Sequence, residues 1–405
     1  MNRVVHWSAG LILLAASACP GQVRIVQSPL RTSALSLEQE GRLTEAVAAW
    51  QRLARTYPRD PEPYAHIGLL EARQGHYKTA IPAYRKALAV YPSATDQNAQ
   101  ALRLDLGLAL FKADQPREAI TNFKMLLKEE PADSPLAQRV TILTGMAYYG
   151  LAEYQEAAPY LKAASAREPN NLPLLLALAH SYLWSKQFKY VMGVYHQILT
   201  INPDSAEADM LAGEALDEMK DNAGAVKMFQ AAVKADPKMP NAHFGLGYLL
   251  WAQKKFPEAA GEFQVELTIN PRHVQSMLYL ADADIQMNKM KEAEPLLVET
   301  LKLEPSLGLA RLDLGIIYME SGRNQDALRE LTAAAKLTPD DVNVHWRLGR
   351  LYRTMGRKEE AKLEFQKAAN LNKAADEALY QKIANSRQHP PKGADAAAAG
   401  ADKQP

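Results

Sequence analysis

Prolines close a long series of apolar segments at a fixed interval. Pro169, Pro203, Pro237, Pro271, Pro305 and Pro339 are each 34 residues apart, and Pro58, Pro92 and Pro131 extend the series toward the start with two wider gaps. Twelve residues before each proline stands Ala46, Ala80, Ala119, Ala157, Val191, Ala225, Ala259, Ala293 or Ala327, and Ala361 continues the row with Lys373 in the place of its proline. Twelve residues earlier again lie Ala34, Gly68, Gly107, Gly145, Ala179, Gly213, Gly247, Ala281, Gly315 and Gly349. A third row sits four residues after each alanine: Trp50, Tyr84, Phe123, Leu161, Tyr195, Phe229, Phe263, Leu297, Leu331 and Phe365.

A period of this length marks a chain built from stacked supersecondary units. Small residues let two helices approach closely, and the bulky residue fills the space beyond them. Proline ends the second helix because it lacks an N–H and clashes with the preceding turn. Each unit is then a helical hairpin that buries its apolar faces only against its neighbours. The spacing predicts an all-α solenoid with ten repeats over 27–373, starting near 27, 61, 100, 138, 172, 206, 240, 274, 308 and 342. About five extra residues near Thr95–Ala99 and four near Asp133–Leu136 widen the two irregular gaps.

The pattern resembles the tetratricopeptide repeat family. Leu314-Gly315, Tyr318, Ala327, Leu331 and Pro339 carry it, repeated at Leu246-Gly247, Ala259, Phe263 and Pro271, and at Leu348-Gly349, Tyr352, Ala361 and Phe365. The resemblance implies a right-handed superhelix whose first helices line a concave face, with the residue just after each core position pointing into it. Those positions hold Phe111, Tyr149, Trp184, Phe244, Tyr248 and Trp251, an acidic zone at Glu214, Asp217 and Asp282, and a basic end at Trp346, Arg350 and Arg353, with Arg347 beside them. Three half-exposed aromatics, each carrying about 150–250 Å², make a patch of a size that marks binding sites. Tight coiling that buries Phe244, Tyr248 and Trp251 against the next repeat is the alternative.

Composition narrows the function. Charged residues make up 23% of the chain and its net charge is +1, so there is no basic excess for nucleic acid. The nine histidines show no metal-ligand spacing. Asp282, Asp284, Gln286 and Asn288 imitate a calcium loop, but Met287 and Ala293 stand where it needs glycine and glutamate. Gly75 before Lys78-Thr79 lacks the upstream glycine of a phosphate loop and reads as a turn between helices. No nucleophile, base and orienter assemble, no cofactor is indicated, and the repeats leave no stretch for a catalytic domain.

The first residues read as an export signal. Arg3 precedes an apolar run from Trp7 to Ala16, and Ala16-Ser17-Ala18 forms a cleavage signal that removes 1–18. Ala16-Ser17-Ala18-Cys19 also resembles a bacterial lipoprotein box that would lipidate Cys19, although Ala16 replaces the usual large aliphatic residue. A periplasmic or outer-membrane-associated location is expected, with secretion as the alternative, and membrane contact only through Cys19. Residues 374–388 read as a capping helix, and 389–405, rich in Ala, Gly and Pro, as a disordered tail. The leading expectation is a cell-envelope scaffold that holds a protein or peptide partner in the groove; the alternatives are a glycan-binding adaptor and an enzyme with an unrecognised site.

Overall fold

The computed structural model describes residues 29–91 and 96–388, so the expectations for 1–18, Cys19, Pro92 and 389–405 lie outside the described residues. Among the described residues there are twenty α-helices, arranged as consecutive antiparallel pairs. They fall into two compact units that divide between Arg167 and Glu168.

The first unit holds α1 (Pro29–Gln39), α2 (Leu43–Thr56), α3 (Pro61–Arg73), α4 (Tyr77–Val90), α5 (Gln97–Lys112), α6 (Pro116–Glu129), α7 (Pro135–Gly150) and α8 (Tyr154–Arg167). The second unit begins with α9 (Leu172–Trp184), α10 (Phe188–Ile201), α11 (Ala206–Glu218), α12 (Asn222–Ala235), α13 (Ala242–Ala252) and α14 (Phe256–Ile269). It continues with α15 (Val274–Gln286), α16 (Met290–Leu303), α17 (Gly308–Glu320), α18 (Asn324–Leu337), α19 (Val342–Thr354) and α20 (Lys358–Gln388).

The three periodic rows meet inside each hairpin. A Cβ added to Gly247 would lie 2.8 Å from the Phe263 ring, and one on Gly315 would lie 2.5 Å from the Leu331 side chain. Gly68, Gly107, Gly145, Gly213 and Gly349 face Tyr84, Phe123, Leu161, Phe229 and Phe365 in the same way. The glycine face of the first helix is therefore the seat of the bulky residue on the second. Ala46, Ala80, Ala119, Ala259, Ala293 and Ala327 are fully buried beside these contacts. Burial of the large row, from Trp50 to Leu331, supplies much of the core, at roughly 25 cal/mol per Å² of apolar surface removed from water.

Helix ends follow local sequence. Asp60, Ser134, Asn171, Ser205 and Asp341 cap the starts of first helices with side-chain oxygens, as Ser134 does by accepting from the Ala137 N–H at 3.0 Å. Second helices stop two residues before a proline: α14 ends at Ile269 before Pro271, and α16 ends at Leu303 before Pro305. Lys373 places no such block after the tenth hairpin. There α20 runs through to Gln388, and the 374–388 segment is part of that helix. The extra residues near 97 and 135 enter the first helices: α5 and α7 have 16 residues, against 13 in α3, α9, α11 and α17.

In the second unit each first helix packs closely on the next first helix, from α9 on α11 through to α17 on α19. Each second helix from α10 to α18 has the two adjoining first helices as its close neighbours, as α12 does with α11 and α13. The first helices thus run together along the tighter, inner side of that stack. Polar side chains fasten one hairpin to the next at the same repeat position. His243 hydrogen-bonds the Pro237 carbonyl and the Glu262 carboxylate at 3.1 and 2.6 Å. His345 does so with Pro339 and Glu364 at 2.8 and 2.5 Å, and Arg311 donates to Pro305 and to Glu330 at 2.8 Å. These partners account for His243 and His345 as packing residues, and among the described residues no cluster of ligands could hold a metal ion. No described helix is long and apolar enough to cross a membrane.

Candidate partner-binding surface

The aromatic stripe of α13 meets the next hairpin rather than lying alone. Tyr279 of α15 stands at its hub, with ring centroids 4.9 Å from Trp251, 5.3 Å from Tyr248, 6.1 Å from Phe244 and 6.1 Å from Phe263. Tyr248 and Trp251 stack at 6.0 Å, and Phe244 touches His273 edge-on at 5.0 Å. Offset and edge contacts of this kind stabilise by about 0.5–1.5 kcal/mol each beyond area burial. The three stripe residues and Tyr279 are all half-buried, so the cluster joins two hairpins and still presents ring surface to solvent.

A polar line continues from that cluster along the inner helices. Trp251 donates its indole N–H to the Asp282 carboxyl across 2.5 Å, and Asp282 is buried. Beyond it on α17 lies Asp313, only 3% exposed, with Oδ2 lacking any hydrogen-bond partner. Burial, and next the neighbouring Asp282, pushes the Asp313 carboxyl well above its ordinary range, against the pull of Arg347 on α19. Its buried position favours the uncharged form of the carboxyl.

The basic end is built on α19. Trp346 is 44% exposed, and the guanidiniums of Arg347 and Arg350 lie over its ring at 5.4 and 5.0 Å. Arg353 is exposed and lies 5.8 Å from the Phe365 ring. Such cation–π contacts hold a guanidinium plane in place while its N–H fork remains available.

The remaining sequence candidates are scattered. Phe111, 36% exposed, and Tyr149, edge-on to Tyr154 at 5.8 Å, belong to the first unit. Trp184 is 62% exposed at the end of α9. Glu214 and Asp217 are half-buried on α11, and burial pushes the Glu214 carboxyl up, with nearby His180 opposing. Tyr279 and Asp313 were not among the candidates, because each sits two residues before its repeat's small residue, on the flank that faces the adjoining hairpin.

Stacked helical hairpins with side chains displayed along the first helices define a repeat scaffold with an extended inner surface. The sequence profile described as Tetratricopeptide repeat matches residues 31–97, 104–173, 210–274 and 312–378, and a second profile of the same description matches 149–215. The chain belongs to the tetratricopeptide repeat family, whose members are protein-interaction scaffolds. Superkiller complex protein 3 of Homo sapiens is 23% identical over 398 residues, 85% of this chain and 25% of that protein. BBSome complex member BBS4 of Bos taurus is 23% identical over 225 residues, 56% of this chain and 42% of that protein. The chain thus spans a quarter to less than half of these relatives. A tetratricopeptide repeat protein of known structure from Parabacteroides merdae aligns with a TM-score of 0.46 at 17% identity, covering 67% of this chain and 99% of that one.

Proposed function

We propose that this protein is a scaffold of the bacterial cell envelope that holds a partner polypeptide along the inner face of its second unit. The observation that carries the reading is the half-buried aromatic cluster of Tyr248, Trp251 and Tyr279. A partner segment lays an apolar anchor on these rings and completes their burial, and flanking polar groups fix its direction. Relatives named for the Superkiller and BBSome complexes fit a role in assembly. The envelope location rests on the export signal read at 1–18, and lipid at Cys19 would tether the scaffold to a membrane.

The test is capture from an envelope fraction, comparing wild type with Tyr248→Ala/Trp251→Ala after circular dichroism has verified that both fold. The expected result is a protein retained by wild type and lost from the variant. Identical captured sets would remove the aromatic cluster from the binding surface. A glycan adaptor is the second reading, favoured by Trp184, Tyr248 and Trp251 as sugar-stacking platforms. Retention of binding after protease digestion of the extract would favour it over a protein partner.

A further inference from the structure

The arginines of α19 lack the ion pairs that several other described arginines form. Arg31, Arg103, Arg311, Arg323 and Arg357 each form an ion pair with a glutamate between 2.5 and 3.4 Å. Arg347, Arg350 and Arg353 have no carboxylate within ion-pair distance among the described residues. Two carboxyls on α17 face Arg347, those of Asp313 and Glu320. The first is buried, the second is exposed, and neither forms an ion pair with it. Arg350 meanwhile repels Arg347. Two guanidiniums thus lie over one indole ring, and neither forms an ion pair that would offset their mutual repulsion. A carboxylate shared between them would relieve it through charge-assisted, bidentate hydrogen bonds.

The spacing selects the form of the ligand. Residues three apart on a helix rise about 4.5 Å, so Arg347, Arg350 and Arg353 span about 9 Å along α19. Alternate side chains of an extended chain recur about every 7 Å on one face. Two acidic residues separated by one other residue therefore match this row of guanidiniums.

We propose that Arg347 and Arg350, organised on Trp346, together with Arg353 beside Phe365, form a docking site for an extended acidic peptide segment with carboxylates at alternate positions. This deepens the scaffold reading and rests on it: it gives the charge of the partner segment that continues past the aromatic cluster. Trp346 acts as a positioning residue, since it fixes two guanidiniums without carrying charge.

The test uses the full chain and fluorescence anisotropy of a labelled (Glu-Ser)5 peptide at low salt, with (Gln-Ser)5 as reference. Wild type should bind the acidic peptide at least about tenfold more tightly than the reference. Arg347→Gln/Arg350→Gln should lose about tenfold in affinity. Arg52→Gln/Arg55→Gln removes the same net charge from an exposed part of α2 and should leave binding unchanged. Trp346→Leu removes no charge and should still weaken binding at least about threefold, because the guanidiniums lose their platform. The proposal is overturned if wild type does not prefer the acidic peptide, if both arginine pairs lose affinity equally, or if Trp346→Leu binds as wild type does. Binding of phosphatidylglycerol vesicles without binding of the peptide would also overturn it, in favour of a lipid surface. If it fails while Tyr248→Ala/Trp251→Ala still abolishes partner capture, the scaffold reading stands and only its acidic partner is lost.

Discussion

Trp251 of α13 donates its indole N–H to the carboxyl of Asp282 on α15, 2.5 Å away and one hairpin further along. The bond ties the aromatic cluster to the buried polar line that ends at Arg347. Trp251→Phe keeps a ring in the cluster and removes the donor, leaving a buried carboxyl without it. The expected cost is about 1–3 kcal/mol. Trp251→Phe/Asp282→Leu removes both partners and should recover most of that loss. Urea unfolding of the two single variants and the double variant gives the coupling energy, and a coupling near zero would mean the bond contributes nothing to stability.

Glycines inside the described helices include two kinds with opposite expected behaviour. Gly247 lies against Phe263, so Gly247→Ala forces a methyl to 2.8 Å from the ring. Overpacking costs about 1–3 kcal/mol, which exceeds the roughly 1 kcal/mol that alanine gains over glycine inside a helix. Gly193 in α10 and Gly261 in α14 have open space where a Cβ would stand. Their alanine variants should gain stability, by about 0.5–1 kcal/mol each. Thermal melts of all three variants separate the classes, and a destabilising Gly261→Ala would contradict the packing described here.

The fold was legible because each hairpin repeats one steric solution. A small residue on the first helix receives a bulky residue from the second, and a proline then ends it, so three rows recur in phase. Gly247, Phe263 and Pro271 are one instance of that solution, and the contact between the first two is present. The candidate surface was only partly legible. The stripe of Phe244, Tyr248 and Trp251 follows from helical spacing, but its contact with Tyr279 does not. Tyr279, Asp313 and Arg347 share one repeat position in three successive hairpins. That position faces the neighbouring hairpin, and its residue type changes with the neighbour it meets. With no constant chemistry there is no periodic signal to find. The end of the array at Lys373 was misleading for a related reason: without a proline the helix continues, and the expected boundary vanishes into α20.

The turns inside the hairpins adopt left-handed backbone at one fixed position. Glycine occupies it at Gly41, Gly75, Gly322 and Gly356, while Ala152, Lys186, Lys220 and Lys254 adopt φ between 58° and 66°. Residues with a Cβ are strained there by about 1 kcal/mol. Ala152→Gly and Lys254→Gly should each raise the unfolding free energy by about that amount. The sites belong to turns three repeats apart in the sequence, so the effects should add in the double variant. The reverse change, Gly75→Ala, should lower stability by a similar amount, and no shift in the urea midpoint of any of them would refute the strain.

Asp105 of α5 gives the first unit a distinct pH response. Burial pushes its carboxyl up to about 6, with the charge of Arg139 opposing only in part. The unfolded chain has an ordinary carboxyl near 3.9. The folded state therefore binds the proton more tightly, and the stability this group contributes is fully present below about pH 4. It declines as pH rises toward 6, where the buried carboxyl ionises, and is level above that. The two-unit difference corresponds to about 2–3 kcal/mol. Asp105→Asn carries no charge at any pH, so its contribution should be flat across this window. Relative to wild type the variant should gain about 2 kcal/mol on going from pH 4 to pH 7. Urea unfolding at both pH values, followed by a probe in the first unit, measures the difference. An equal change in wild type and variant would show that Asp105 titrates as an ordinary surface carboxylate.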